Sequence, residues 1–275
     1  MKKLKTKEEV MEVFDSIADR KSWENLYQGK MDRLTYNFVS RQKSVEHLLT
    51  PYVKGKILDL GCGTGDLLPF FVKFSGIQYT GMDLSANMIK RANEVHQSSL
   101  KKLNQAVSAK FIVGDSEKLP FEDHSFDIIS AVALIEYFPD PQKVLSEMIR
   151  VLKSAGTLLL TVPHKSCINF KIRDILEPVR NLLFPLYEKW KGKNLSEMKN
   201  VKHYHYDPVE LDEKLYQFGF KKTAFEFSNF YAIPHPVDHL IPTVYMKLSE
   251  IIAQKKRPER FSFLAANYNV IYRKC

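Results

Sequence analysis

Residues 56–66 read KILDLGCGTGD, an apolar run of strand type that breaks into a loop with glycines at 61, 63 and 65. A short apolar run bounded by turn residues reads as a buried strand, and glycines placed after it let the backbone turn sharply against a ligand. A dinucleotide loop of the GxGxxG kind needs glycine at 66, where Asp66 stands instead. A carboxylate at a helix amino terminus opposes the pyrophosphate which that terminus otherwise attracts. The loop suits a ligand without phosphate.

Outward from this stretch the chain alternates. QYTGMDL (78–84), KFIVGD (110–115), FDIISAVAL (126–134) and GTLLLTVP (156–163) have strand character, and LLPFFVKF, ANMIKRANEV and PQKVLSEMIRVL between them carry apolar residues at helical spacing. Such alternation predicts right-handed βαβ units and a doubly wound, Rossmann-like α/β sheet covered on both faces. Beyond Gly219, FKKTAFEFSNF reads as a sixth strand, 237–254 as a helix containing Pro242, and FLAANYNVIYR (263–273) as a last strand. The expectation is a seven-stranded, mostly parallel sheet whose last strand is antiparallel. Its parts are a helical amino-terminal lid (1–49), a ligand-binding core (50–164), a helical insertion that caps the acceptor side (165–206) and a segment completing the sheet (207–275).

Composition narrows the classes. With 275 residues and 44% hydrophobic content, the chain can bury one sizeable core with additions. Cys62, Cys167 and Cys275 are odd in number and widely spaced, which offers neither a disulfide framework nor a CxxC zinc site and points to a reducing, cytoplasmic compartment. In MKKLKTKEEV, Glu8 and Glu9 stand where a signal peptide needs its apolar run. No uninterrupted apolar stretch approaches the ~18 residues of a membrane span. The net charge of +9 favours anionic partners, but lysine is spread along the whole chain, as on a solvated basic surface.

Asp59, Asp83 and Asp115 each close a strand, so all three meet at the carboxyl edge of the sheet, where ligands of doubly wound folds bind. Asp83 lies about 20 residues beyond the glycines, the place of a carboxylate that takes ribose hydroxyls. Asp115 is placed to accept from an adenine amino group, and Leu84 and Met88 to sandwich the ring.

Taken together, ILDLGCGTGD, GMDLSANMI, VGDSEKLPFEDHSFDII and EMIRVLKSAGTLLLTVP resemble class I S-adenosylmethionine-dependent methyltransferases, above all the group containing the ubiquinone and menaquinone enzymes. The resemblance covers about residues 54–163. It implies S-adenosyl-L-methionine as cofactor, with the backbone of Gly61, Cys62 and Gly63 at the methionine moiety, Asp83 on the ribose and Asp115 with Ser116 at the adenine. Cys62 is then a small loop residue, not a nucleophile, and Ala131 of the fourth strand lies beside the cofactor.

The stretch from Ser22 to Leu49, with Trp23 and Tyr27, is similar to the entry of magnesium-protoporphyrin methyltransferases. There a Leu-Ile-His-Tyr run follows strand four, and its His is a proposed base; this chain has LIEY, which places Glu136 at that position. Glu136 is read either as a base or as a carboxylate that fixes the loop, and Tyr27 either as a pocket residue or as lid packing. His164, at the crevice rim, and His203, after the insertion, are further base candidates, ahead of His205, His235 and His239. Metal is not expected, because His203 and His205 lack a third ligand.

The apolar and aromatic content of 165–245 suggests a small, largely apolar acceptor, methylated on oxygen first and on nitrogen or carbon next. Its lysines also allow peripheral contact of 165–206 with an anionic membrane surface. Neither an Asn/Asp-Pro-Pro-aromatic run nor a Pro-Cys nucleophile is present, which sets nucleic acid well below a small molecule. Two rival readings are a protein that binds the cofactor without methyl transfer and a tRNA or protein methyltransferase.

Overall fold

The computed structural model describes residues 7–19, 33–102, 107–175, 203–231, 233 and 241–275. Each strand-type run is a strand: β1 (Lys56–Leu60), β2 (Ile77–Asp83), β3 (Val107–Val113), β4 (Phe126–Val132), β5 (Leu152–Pro163), β6 (Phe220–Phe230) and β7 (Ala265–Lys274). The helices among these residues are α1 (Lys7–Asp19), α2 (Arg33–Leu49), α3 (Leu68–Phe71), α4 (Ala86–Lys102), α5 (Gln142–Val151), α6 (Ile168–Ile175), α7 (Pro208–Gln217) and α8 (Pro242–Ala253). No helix among them is long and apolar enough to cross a membrane.

The strands join in one sheet of order β3-β2-β1-β4-β5-β7-β6. The first five are parallel, and β7 runs antiparallel to both β5 and β6. This is the Rossmann-like doubly wound sheet with an antiparallel last strand. Connections leave β1 in one direction toward β2 and β3 and return to β4 on its other side, which opens a crevice at the carboxyl ends of β1 and β4.

The period of two along each strand sends alternate side chains to opposite faces. On one face Leu58, Leu60, Ile129 and Leu158 pack against α5, whose Val144, Leu145, Met148 and Val151 follow a helical stripe, and against Leu211 and Leu215 of α7. On the other, Ile57, Ile128, Leu159 and Ile271 meet Val45 and Leu49 of α2, Phe70 and Phe71 of α3 and Ile89 and Ala92 of α4. Cover on both faces explains why the central strands read as continuous apolar runs.

Asp59 sits inside this core at 3% exposure. Tyr79 and Ser130 donate to its two oxygens, each at 2.7 Å, so the carboxylate ties β1 to β2 and β4 and lies in the core of the sheet rather than on a crevice wall. Burial, partly offset by those two hydrogen bonds, pushes its carboxyl up to about 6. The folded chain therefore keeps this proton to higher pH than the unfolded chain, whose Asp titrates near ~4. Stability falls as pH rises through that window, by about 3 kcal/mol for a shift of this size. Urea unfolding at pH 4 and pH 7 should show Asp59→Asn losing roughly 2–3 kcal/mol less than the unsubstituted protein across the interval. Equal losses would dispose of the assignment.

Candidate active site

The loop leaving β1 is shaped by backbone geometry before any side chain enters. The amides of Gly61 and Cys62 both donate to the Met82 carbonyl, at 2.8 and 3.1 Å, which pins the loop to the end of β2. Gly61 has φ +67°, and a Cβ there would stand 3.0 Å from Leu134 Cδ1, so the loops after β1 and β4 touch at this point. Gly65, at φ +79°, leaves even less room, since its Cβ would meet the Phe111 ring at 2.6 Å. Gly61→Ala should lower ligand affinity about tenfold, the cost of a left-handed Ala plus displacement of Leu134 being about 1–2 kcal/mol. Calorimetry checks this, and unchanged affinity would mean that the loop does not face the ligand.

The Cys62 side chain is buried and turned toward Gly81, where a Cβ would stand 3.0 Å from its Sγ. Burial pushes its thiol well above the usual range, so it is inert as a nucleophile. Behind the loop, the buried His96 ring stacks on Phe111 and lies 3.0 Å from the Thr64 carbonyl. His96 belongs to no motif in the sequence, and its one signal is that it extends the buried stripe of Ile89 and Ala92 along α4.

Asp83 ends β2 half-buried. Its Oδ2 accepts from the Gly63 amide and its Oδ1 from the Ser85 amide, both at 2.9 Å. Burial raises its carboxyl above the ordinary range against the pull of these two backbone donors. Leu84 follows half-buried, and Met88 is buried beneath Ile17 and Ala18 of α1.

Helix α1 lies across the carboxyl ends of the strands. Lys7 pairs with Asp115 at 2.5 Å and with Glu117 at 2.8 Å, Ser85 donates to Asp15, and Phe14 meets Tyr137 edge to face at 5.4 Å. Burial alone would raise the Asp115 carboxyl, but the Lys7 hydrogen bond and the Glu117 amide outweigh it and hold it below the usual range. Ser116 is buried beside it. A single lysine in a lysine-rich terminus carried no signal of this contact.

At the exit of β4, buried Ala131 is followed by Ala133 in the left-handed region, whose amide donates to Thr161 Oγ1 at 2.9 Å. A 3-10 turn, Ile135–Tyr137, then carries Glu136 inward to 4% exposure. Its Oε1 lies 2.7 Å from His203 Nδ1. Residues 203–206 run between this turn and the end of β5: Tyr204 N donates to the Glu136 carbonyl, Tyr206 N to the Pro163 carbonyl and the Tyr206 hydroxyl to the Ile135 carbonyl, at 2.8, 2.9 and 2.9 Å. Burial drives the Tyr206 hydroxyl upward, with Glu136 and Asp140 adding to it, which makes it a proton holder.

Glu136 and His203, read as separate candidates, are thus one pair. His164 is apart from it: the ring is buried against Phe227, Nδ1 lies 3.0 Å from the Ser262 carbonyl, and burial lowers its proton affinity. Tyr27, Trp23, His235 and His239 lie outside the described residues.

The donor set has a consistent chemistry. In a chain of net charge +9, the crevice edge gathers Asp66, Asp83, Asp115, Glu117 and Glu136, which suits a cationic ligand lacking phosphate. Carboxylates at the ends of β2 and β3 can take hydroxyl and amino donors, and Gly61 lets the loop after β1 close against Leu134 of the loop after β4.

Residues 58–160 match the family profile described as "Methyltransferase domain". The chain is 34% identical over 158 residues to the demethylmenaquinone methyltransferase of Thermotoga maritima, a match covering 57% of this chain and 62% of that protein. To the norajmaline N-methyltransferase of Rauvolfia serpentina it is 30% identical over 176 residues, covering 57% and 59%. The match thus spans about three fifths of the length of these relatives. Among solved structures, magnesium protoporphyrin IX methyltransferase from Synechocystis PCC 6803 with bound SAH superposes with a TM-score of 0.61 at 16% identity, over 98% of this chain and 100% of that one. At such identity the likeness is one of fold.

Proposed function

We propose, from the premise that residues 58–160 form a class I S-adenosylmethionine-dependent methyltransferase domain, that this chain transfers a methyl group to a small, largely apolar acceptor. The observation that carries the reading is Asp83, whose carboxylate is bonded to Gly63 of the glycine loop at the crevice between β1 and β4. S-adenosylmethionine supplies a methyl already activated on a sulfonium, so the protein's work is alignment and exclusion of water. The backbone at Gly61–Gly63 faces the methionine part, Asp83 takes the ribose hydroxyls, and Asp115 with Ser116 receives the adenine. Leu84 and Met88 border the ring, and α1 closes over it.

Oxygen is the first choice of acceptor atom, with nitrogen and carbon next. An apolar acceptor is supported by the aromatic groups beside residues 203–206: Tyr137 against His203 at 5.0 Å, and Phe170 stacked on His205 at 4.5 Å. Tyr36, Tyr231 and Tyr245 form a buried cluster next to Phe170. Calorimetry with S-adenosylmethionine and with its demethylated product tests the reading, and absence of binding at micromolar concentration to folded protein would end it.

A further inference from the structure

Glu136 is a buried carboxylate held at the mouth of the crevice, and a histidine distant in sequence is brought to within 2.7 Å of it. The encounter is built from both sides. The Tyr204 amide bonds to the Glu136 carbonyl, the Tyr206 hydroxyl to the neighbouring Ile135 carbonyl, and the Tyr137 ring lies against the imidazole at 5.0 Å. A carboxylate facing Nδ1 fixes the proton on that nitrogen and leaves Nε2 as the basic one. The His203 side chain is 35% exposed against 6% for Glu136, so the imidazole is the member that a small molecule can reach.

We infer that His203 is the base that deprotonates the methyl acceptor, that Glu136 is its positioning carboxylate, and that the acceptor is therefore a phenol or enol. This rests on the methyltransferase reading and names the substrate class of the same site. A neutral amine or an alkene offers its electron pair without losing a proton first, whereas a phenol with pKa ~10 is almost wholly protonated at neutral pH. In the step, the hydroxyl proton passes to His203 Nε2 and the Glu136 carboxylate stabilises the imidazolium. The oxygen's electron pair forms the new bond to the methyl carbon, and the pair of the breaking carbon–sulfur bond stays on sulfur as a neutral thioether. If the ring carbon beside the hydroxyl takes the methyl instead, the proton on that carbon is lost to solvent and the imidazolium returns its proton to the oxygen, which restores the aromatic phenol with one net proton released. The deprotonation is the same in both cases.

The test uses the full chain, 1-naphthol as hydroxyl probe and 1-naphthylamine, an aromatic amine that is neutral at pH 7, as amine probe, with the demethylated donor product measured by mass spectrometry. The expected result is methylated naphthol, with a rate that rises with pH. Glu136 and Tyr137 face His203 from the 3-10 turn and Tyr204 adjoins it, so the limb is assigned by substitution. His203→Gly should lower kcat about 10²-fold or more at unchanged donor affinity, and added imidazole should restore part of it. Glu136→Gln should lower kcat about tenfold, with KM held, and displace the pH limb.

A readout independent of turnover is the ring nitrogen spectrum of His203. The expected spectrum shows Nδ1–H in the unsubstituted protein and a mixture of tautomers in Glu136→Leu; a mixture already present in the unsubstituted protein would overturn the pairing. Full activity of His203→Gly, or loss of activity that imidazole does not restore while donor binding persists, would overturn the base. Methylation of the amine alone, or of neither probe, by protein that binds the donor would overturn the substrate class. Failure to bind the donor would instead take down the methyltransferase reading itself.

Discussion

Asp83→Ala is expected to weaken S-adenosylmethionine binding by about two to three orders of magnitude. The side chain stands at two jobs at once, since its oxygens accept from the Gly63 and Ser85 amides and the same carboxylate is assigned to the ribose hydroxyls. Charge-assisted hydrogen bonds contribute about 1.5–3 kcal/mol each, and losing two near the lower end of that range, about 3–4 kcal/mol, changes affinity about 10²- to 10³-fold. Asp83→Asn separates the two jobs. It keeps one oxygen acceptor but sets an NH2 against a backbone donor, so it should fall between the parent and Asp83→Ala. Calorimetry on protein whose melting temperature is unchanged makes the measurement, and parental affinity in Asp83→Ala would show the ribose to be elsewhere.

The largest stability effect is expected at Asp212→Ala. Tyr268 and Tyr272 of β7, each 1% exposed, direct their hydroxyls at the Asp212 carboxylate, at 3.1 and 2.5 Å, and Lys222 pairs with it from β6. Burial raises both phenols far above their ordinary range, with Asp212 adding to it, so they stay protonated and depend on an acceptor. Removing the carboxylate strands two buried hydroxyls at about 1–3 kcal/mol each, for a total of about 3–5 kcal/mol. Asp212→Asn retains an acceptor and should cost less than half of that. Urea unfolding reads both, and a loss below 1 kcal/mol in Asp212→Ala would contradict the account.

The strands were legible because apolar runs are bounded by turn residues, as KILDL is at Gly61, whereas the run read as FDIISAVAL to 134 stops as a strand at Val132, since alanine gives no sign of the positive φ that Ala133 adopts. Strand order is a different kind of information, yet a trace of it is visible. Along β6, exposed Lys221, Lys222 and Thr223 mark an edge, while β7 is buried from Ala265 to Tyr272 and lies inside. Asn267 and Asn269 obscured this, because only the fold reveals that their amides meet Asn37 and Ser44 of α2 and Ser228 of β6.

The acidic strand ends were readable for the same reason as the strands. The contact of Glu136 with His203 was not, because long-range pairing leaves no periodicity in either segment. Asp59 shows the converse: its position in the motif is that of a ligand contact, and its two hydroxyl partners make it part of the core. Lys7 over Asp115 belongs to the same class as the Glu136 pair, a contact made by topology alone.

Residues 203–206 are anchored to Glu136, Ile135 and Pro163 through main-chain and tyrosine bonds, all of them to the sheet domain. Among the described residues, the position of His203 is thus set by bonds of its neighbours to the 3-10 turn and to the end of β5. Under the proposed function, the imidazole is held in register with the crevice by the strand ends themselves, so the sheet that seats the cofactor also seats the proposed base.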